Sequence, residues 1–461
     1  MAWGNDIDMN GTCGQARVVL HLACVVSLLM MTMGCGARRG TDPKEQEVSR
    51  SQAHISIAWK PGLPAHRLRE FCKAYTDESG VEVRIGEIPD QIFHDGVMTL
   101  FEKHSKTAFD AVIADSHWLA GAVEAGYYAD MSDFLKRDIG FERVDSRLRE
   151  VLSEFPQGSG AFFSAPVYPD MMVLLYRKDW YSDEETQEDY RLLYGEPLVP
   201  PRTLAELKNH VSYFSASVDH PAGIAFLTRR REAELVLSFQ AFLSMEGGRL
   251  SNPDTYEVDG VLNASNAVAA VETMSTFIRS GPPGASELSS EGAALHFIKG
   301  NVALSVNWLS MVDGIVDSMP DDEVGVLALP GGAGQHVSPI RGYGLSISEK
   351  LPAERKAMCE DFLRWFYRAD VQKRWIAQGG LPVMSRDVRE FEHKVYGSVY
   401  AESIAGSEAF WQVKVYDRLI PVLNRCVGDA VDGYVPVQQS LDTLAVEWEL
   451  ILREAELLNR F

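Results

Sequence analysis

The sequence predicts an α/β fold built from discontinuous pieces of chain. Three observations carry that expectation. Short runs that alternate or are apolar throughout are separated by stretches with helical spacing, which gives βαβ units. One such run, residues 109–114, is almost continuously apolar, as in a parallel strand covered on both faces. No stretch of the body has the composition of an interdomain linker, although 461 residues are enough for two or three compact units.

In chain order, His54–Trp59 alternates with a period of two and reads as the first strand. Pro61, Gly62 and Pro64 break it. Leu68, Phe71, Cys72 and Tyr75 then recur at three and four, one face of a helix that Gly80 stops. Val81, Val83 and Ile85 alternate as a second strand, a short helix follows over 97–104, and 109–114 is the third strand. Residues 166–176 form an apolar strand. Thr203 and Glu206 make a capping box for a helix that begins at Leu204. Further strands are expected at 224–227, 302–306, 324–329 and 343–347. Helices are expected at 233–245 and 264–278, each closed by glycine. Residues 353–377 carry Phe362, Trp365, Phe366 and Ile376 at helical spacing and read as one helix. Leu441, Leu444, Trp448 and Leu452 mark a last amphipathic helix. Trp365, Trp375 and Trp448 lie on apolar helical faces and belong in the core.

Composition narrows the function. The chain has 44 basic and 65 acidic residues, a net charge of −21, which argues against a nucleic-acid binder. Its 46% hydrophobic and 24% charged residues are globular averages. Only residues 18–33 approach a membrane span, so a polytopic membrane protein is excluded. Arg17 precedes that run, which ends in Thr32-Met33-Gly34-Cys35. Residues 1–34 read as a signal peptide and 35–53 as a flexible tether. The small residue before Cys35 resembles the bacterial lipoprotein box, which implies cleavage before Cys35 and a lipid on it. In the body, Cys72, Cys359 and Cys426 permit at most one bridge, and Cys72 is expected as a buried thiol.

Catalytic signatures are missing. The eleven histidines never form HExxH, and there is no GxxxxGK[ST] or GxSxG. Carboxylates are plentiful, but no spacing singles out a pair for glycoside hydrolysis. No catalytic residue, metal or cofactor is assigned.

Other motifs, taken in order, resemble the family 1 extracellular solute-binding proteins. Phe109-Asp110-Ala111-Val112-Ile113-Ala114-Asp115 is similar to the family's strand ending in a ligand-facing polar residue. Gly126-Tyr127-Tyr128-Ala129-Asp130-Met131 is similar to its G-x-L-x-D-L turn. Pro200-Pro201-Arg202-Thr203-Leu204-Ala205-Glu206-Leu207 matches P-P-x-T-W-x-E-L, with Leu204 in place of Trp. Phe297-Ile298-Lys299-Gly300-Asn301-Val302-Ala303-Leu304 fits F-x-x-G-K-A-A-M, and Gly342-Tyr343-Gly344-Leu345-Ser346-Ile347 fits the glycine-bearing crossover strand.

The resemblance implies a two-lobed periplasmic-binding-protein fold of type II. One lobe comprises 54–166 and 341–388, the other 167–340 and 389–461, with crossovers near 165–169 and 340–344. It implies the exported, lipid-anchored binding component of an ABC importer. That component is a monomer that closes on a sugar or polyol, meets the transporter's permease subunits, makes or breaks no covalent bond and is not an enzyme. An exported glycosidase or other hydrolase, a binder of a non-sugar solute and a sensor are the alternatives.

A sugar site needs flat aromatic faces and planar polar groups, placed at strand ends and crossovers. Trp59 and Lys60 end the first strand. Asp115, Ser116 and His117 follow the third, with Trp118 opening the next helix, which Asp115 alternatively caps. Tyr168 and Asp170 sit at the first crossover, and Arg341, Gly342 and Tyr343 at the second. Trp308 stands where the family has a stacking aromatic, and Trp411 is a candidate from the C-terminal part. Arg229-Arg230-Arg231 reads as a solvated helix start or as a site for an acidic sugar or phosphate.

Overall fold

Strand β1 (His54–Trp59) pairs in parallel with β2 (Glu82–Glu87) on one side and β3 (Ala111–Asp115) on the other. The computed structural model describes residues 53–89, 92–93, 96–99, 109–217, 221–230, 233–253, 255–332, 336–393, 395–409 and 411–458. The signal peptide and Cys35 lie outside these residues, as does the tether apart from Ala53. Helix α1 (Leu63–Ser79) lays Leu68, Phe71, Cys72 and Tyr75 on the sheet. Gly80 ends it with φ 74°, its N–H donating to the Thr76 carbonyl, a conformation glycine takes without a Cβ penalty. Residues 97–99 are helical, and most of the helix expected over 97–104 lies outside the described residues. Helix α2 (Leu119–Glu124) follows β3. Helix α3 (Ser146–Leu152) is capped by Asp145, whose carboxylate accepts from the N–H groups of Arg147 and Leu148.

The middle of the chain adds β4 (Ala165–Arg177), α4 (Leu204–Ala216), β5 (Ile224–Ala225), α5 (Glu234–Met245), α6 (Ser265–Arg279) and α7 (Ser290–Ile298). The Thr203 hydroxyl accepts from the Glu206 N–H as the capping box requires, while the Glu206 carboxylate reaches back to the Arg202 N–H. Next come β6 (Leu304–Trp308), α8 (Val312–Val316), β7 (Val324–Ala328), β8 (Ser338–Ile347), α9 (Ala353–Phe366) and α10 (Ala369–Ala377). Helix α11 (Gly397–Ala405), β9 (Ser407–Ala409), α12 (Tyr416–Val431) and α13 (Val437–Glu454) complete the fold. The single helix expected over 353–377 is two. Arg368 is extended (ψ 140°) between them, and the Tyr367 hydroxyl donates to the Pro166 carbonyl at 2.6 Å. Apolar spacing continues across that break, so the sequence pattern conceals it.

The strand order is β2-β1-β3-β8-β4-β6-β5, with β7 also on β4 and β9 on β8. The sheet is mixed: β1 pairs in parallel with β2 and with β3, as the βαβ reading expected, and antiparallel strands extend it. β8 runs antiparallel to β3 and β4, and β4 antiparallel to β6 and β7. β4 has 13 residues and β8 has 10, so each pairs with different neighbours along its course. The crossovers expected near 165–169 and 340–344 fall within these two strands, which pair with each other there. Period two explains the apolar texture of β4. Met171, Val173 and Leu175 face one large core with α1, α7, α9 and α10. Met172 and Leu174 face a second with α4, α5, α6, α12 and α13. Trp365, Trp375 and Trp448 are buried as expected, and Cys72, Cys359 and Cys426 are buried free thiols. Among the described residues, no helix is long and apolar enough to cross a membrane.

Gly342 shows how tightly the two long strands approach. A Cβ there would lie 2.9 Å from the Pro169 Cα and 3.0 Å from a Leu152 methyl. Backbone cannot yield as a side chain can. Gly342→Ala is therefore expected to lower stability by about 1–3 kcal/mol through overpacking, read as a lower urea midpoint with unchanged slope. A midpoint equal to wild type would refute the close approach.

Candidate functional site

Because β1 and β3 are parallel neighbours, their C-terminal ends open on the same edge of the sheet. A cavity of about 1070 Å³ lies there. Trp59, Lys60, Asp115, His117 and Trp118 line it from that edge, and Trp308, Arg341 and Tyr343 from the ends of β6 and the middle of β8. The facing wall holds Arg229, Arg230 and Glu234 around the start of α5, and Ser290 and Glu291 from the first turn of α7. Asp417, Ile420, Pro421 and Asn424 come from one face of α12.

Charges in the cavity are matched. Lys60 Nζ donates to Asp115 Oδ2 at 2.7 Å and lies 5.2 Å from the Trp118 ring centroid and 6.0 Å from that of Tyr343. Burial alone would push the Asp115 carboxyl up. Lys60 foremost, then Arg341 and His117, overcome that and hold it well below the usual carboxylate range. Asp115 makes no side-chain capping bond to the turn Ser116–Trp118. Its Oδ1 is buried and has no hydrogen-bond partner among the described residues. Across the cavity, Arg229 Nε donates to one Glu234 oxygen at 2.6 Å, and the other accepts the Ser290 N–H at 3.2 Å. Arg230 donates to Asp429 at 2.9 Å and also pairs with Asp432. Arg231 lies outside the described residues.

Trp308 is 2% exposed, and the Arg341 guanidinium lies over its ring, 4.1 Å from the centroid. The aromatic expected to stack on a ligand already carries a cation on one face. Five residues singled out in the sequence do not line the cavity. Ser116 is buried beside it. Tyr168 is 1% exposed, edge-on to Trp59 and Trp375. Gly342 serves strand approach. Asp170 lies beneath the site, accepting from Ser310. Trp411 stacks on Tyr256 and tilts against Trp448. Conversely, Glu234, Ser290, Asp417, Pro421 and Asn424 went unnoticed. The only signal for the last three was the three-and-four spacing of α12 and a proline within it.

The His117 ring lies 4.9 Å from that of Tyr416, Lys414 pairs with Glu124 at 3.2 Å, and Arg67 donates to Asp313 at 2.6 Å. Among the described residues, no three His, Cys, Asp or Glu side chains converge as a metal site.

The description that matches this chain among protein families is that of a bacterial extracellular solute-binding protein, over residues 70–394. The chain belongs to this family. Among solved structures, this solute-binding protein is similar to the maltose-bound MalE3 of T. maritima. The TM-score is 0.72 at 20% identity, covering 87% of this chain and 100% of that one. A solute-binding protein of an ABC transporter from Agrobacterium radiobacter K84, in complex with ribitol, gives 0.72 at 18% identity, covering 86% and 98%. The sugar-binding protein MalE of Xanthomonas citri gives 0.71 at 16% identity, covering 88% and 98%. At these identities the likeness establishes the shared fold. Among curated proteins, no sequence matches this solute-binding protein.

Proposed function

We propose that this solute-binding protein captures a sugar or polyol in the cavity and delivers it to an ABC importer. One observation carries the reading. Residues from distant parts of the chain bring a carboxylate, an ammonium, a guanidinium and indole surfaces to one cavity. Carboxylate and guanidinium groups bond hydroxyls directionally, and indoles cover the C–H face of a sugar ring. A volume of about 1070 Å³ lies just above the roughly 300–1,000 Å³ usual for small-molecule sites, which favours an oligosaccharide. Lys60, Arg229, Arg230 and Arg341 face Asp115, Glu234, Glu291 and Asp417 around the cavity, which favours a neutral solute over an acidic one. The names of similar structures state maltose and ribitol as ligands, which supports the same class.

In this reading the lobes are 54–166 with 341–388 and 167–340 with 389–461. The solute bridges them, stabilising a closed form by its higher affinity for it. Trp59, Lys60, Asp115, His117, Trp308, Arg341 and Tyr343 contact the solute. Cys35 carries the lipid that keeps the exported monomer at the membrane, and permease subunits receive the closed form. No bond is made or broken. A thermal-shift panel of neutral oligosaccharides, monosaccharides and polyols tests the reading. At least one neutral oligosaccharide is expected to raise the melting temperature in a concentration-dependent way, with no release of reducing sugar. A flat response across the panel refutes it, and sustained turnover makes the protein a hydrolase instead.

A further inference from the structure

Asp170 does not reach the cavity, yet it touches what the cavity presents from two directions. It is 1% exposed on β4. Its Oδ1 accepts from the N–H groups of Ser310 and Met171, both at 3.1 Å, and its Oδ2 accepts from the Ser310 hydroxyl at 2.7 Å. Ser310 is two residues beyond Trp308, in the turn Leu309–Met311 that carries the chain off β6. On the other side, Asp170 stands opposite Arg341 in the β4–β8 register, and Arg341 lies over the Trp308 ring. One buried carboxylate thus ties down the backbone that sets the indole and faces the cation that covers it.

We propose that Asp170 is a positioning residue of the solute site. Its negative charge holds Arg341 and the Trp308 turn in the arrangement that meets the solute, and its protonation releases both. This rests on the reading that a solute binds in the cavity. The mechanism is electrostatic. A charged acceptor binds the Ser310 donors and draws in the guanidinium, whereas a protonated carboxyl offers one fewer acceptor site and no charge.

The charge can change near neutral pH. Burial raises the Asp170 carboxyl to about 6, although Arg341 and the Ser310 bonds pull against it. The other titratable or charged groups facing it are Tyr168 on its own strand, Arg341 and Tyr343 on β8, and Tyr400 on α11. Burial pushes the hydroxyl of Tyr343 up to about 12 and raises those of Tyr168 and Tyr400, so all three stay neutral. Asp115, the other carboxylate near Arg341, stays ionised.

Two measurements test this. The first needs no solute. Tryptophan emission is followed from pH 4.5 to 8 in wild type, Asp170→Asn and Trp308→Phe. Wild type is expected to show a transition centred near pH 6, missing from both variants. His117 lines the same cavity, and the Asp170→Asn control separates the two. A transition that persists in Asp170→Asn, or none in wild type, overturns the proposal. The second is calorimetry with maltotriose. Wild type is expected to bind about tenfold more weakly at pH 5 than at pH 7.5, the size of one lost charge-assisted contact. Asp170→Asn is expected to bind at the weaker value at both. Equal pH dependence in the two proteins overturns the proposal. If maltotriose fails to bind wild type at either pH, the sugar reading suffers, while the emission titration still decides the role of Asp170.

Discussion

Asp115→Ala is expected to weaken solute binding by about 10- to 100-fold and to cost about 3 kcal/mol of stability. The stability term follows from the ion pair. Asp115 is almost wholly buried, and its partner Lys60 keeps 17% side-chain exposure. Breaking a buried pair from one side costs roughly 3–5 kcal/mol, and the residual hydration of Lys60 sets this case at the lower end. Binding suffers separately, because a charged group is removed from the cavity lining and because the Lys60 ammonium loses what orients it. Loss of one charged hydrogen bond weakens affinity by about 10- to 100-fold. The pH dependence follows from the depressed carboxyl. Its stabilising contribution is fully present above the unfolded-state value of about 3.9 and is lost only as pH falls through the lower folded value. The deficit of the variant against wild type should therefore stay constant from pH 7 to about 4. Urea unfolding at several pH values measures it. A deficit that vanishes already at pH 5 would contradict the ion pair.

Trp308→Ala is expected to be the other severe change. The indole fills the junction between β6 and the second core, and truncating a buried aromatic costs about 3–5 kcal/mol. Arg341 then loses the ring beneath its guanidinium, a contact worth about 1–2 kcal/mol when desolvated. The solute-induced thermal shift should disappear, while Trp308→Phe, which keeps a flat face, should retain part of it. Differential scanning fluorimetry with and without a stabilising sugar separates the two effects. The baseline melting temperature reports the packing loss, and the increment reports the site. An unchanged increment in Trp308→Ala would take the indole out of the site.

The strand-end part of the site was legible in the sequence because it is local. Trp59-Lys60 and Asp115 close alternating or apolar runs, and parallel pairing of β1 with β3 makes such ends neighbours. The order of elements was legible for the same reason. Two things were not. The stacking of Arg341 on Trp308 and the place of Asp170 depend on the register between β4 and β8, which join residues far apart in the chain. A shift of one residue there would turn Asp170 and Arg341 to the other face. The α12 wall depends on which side of an amphipathic helix meets α5 and α13, a choice that packing makes and composition does not announce. Trp411 misled for a related reason. A tryptophan near a predicted cleft looks available, and only the neighbouring Tyr256 and Trp448 rings show that it is taken.

The three sulfhydryls at Cys72, Cys359 and Cys426 are free and buried, and burial keeps them protonated, that of Cys359 up to about 12. Among the described residues no disulfide joins these thiols, so hydrophobic packing, hydrogen bonds and ion pairs alone hold the described fold together.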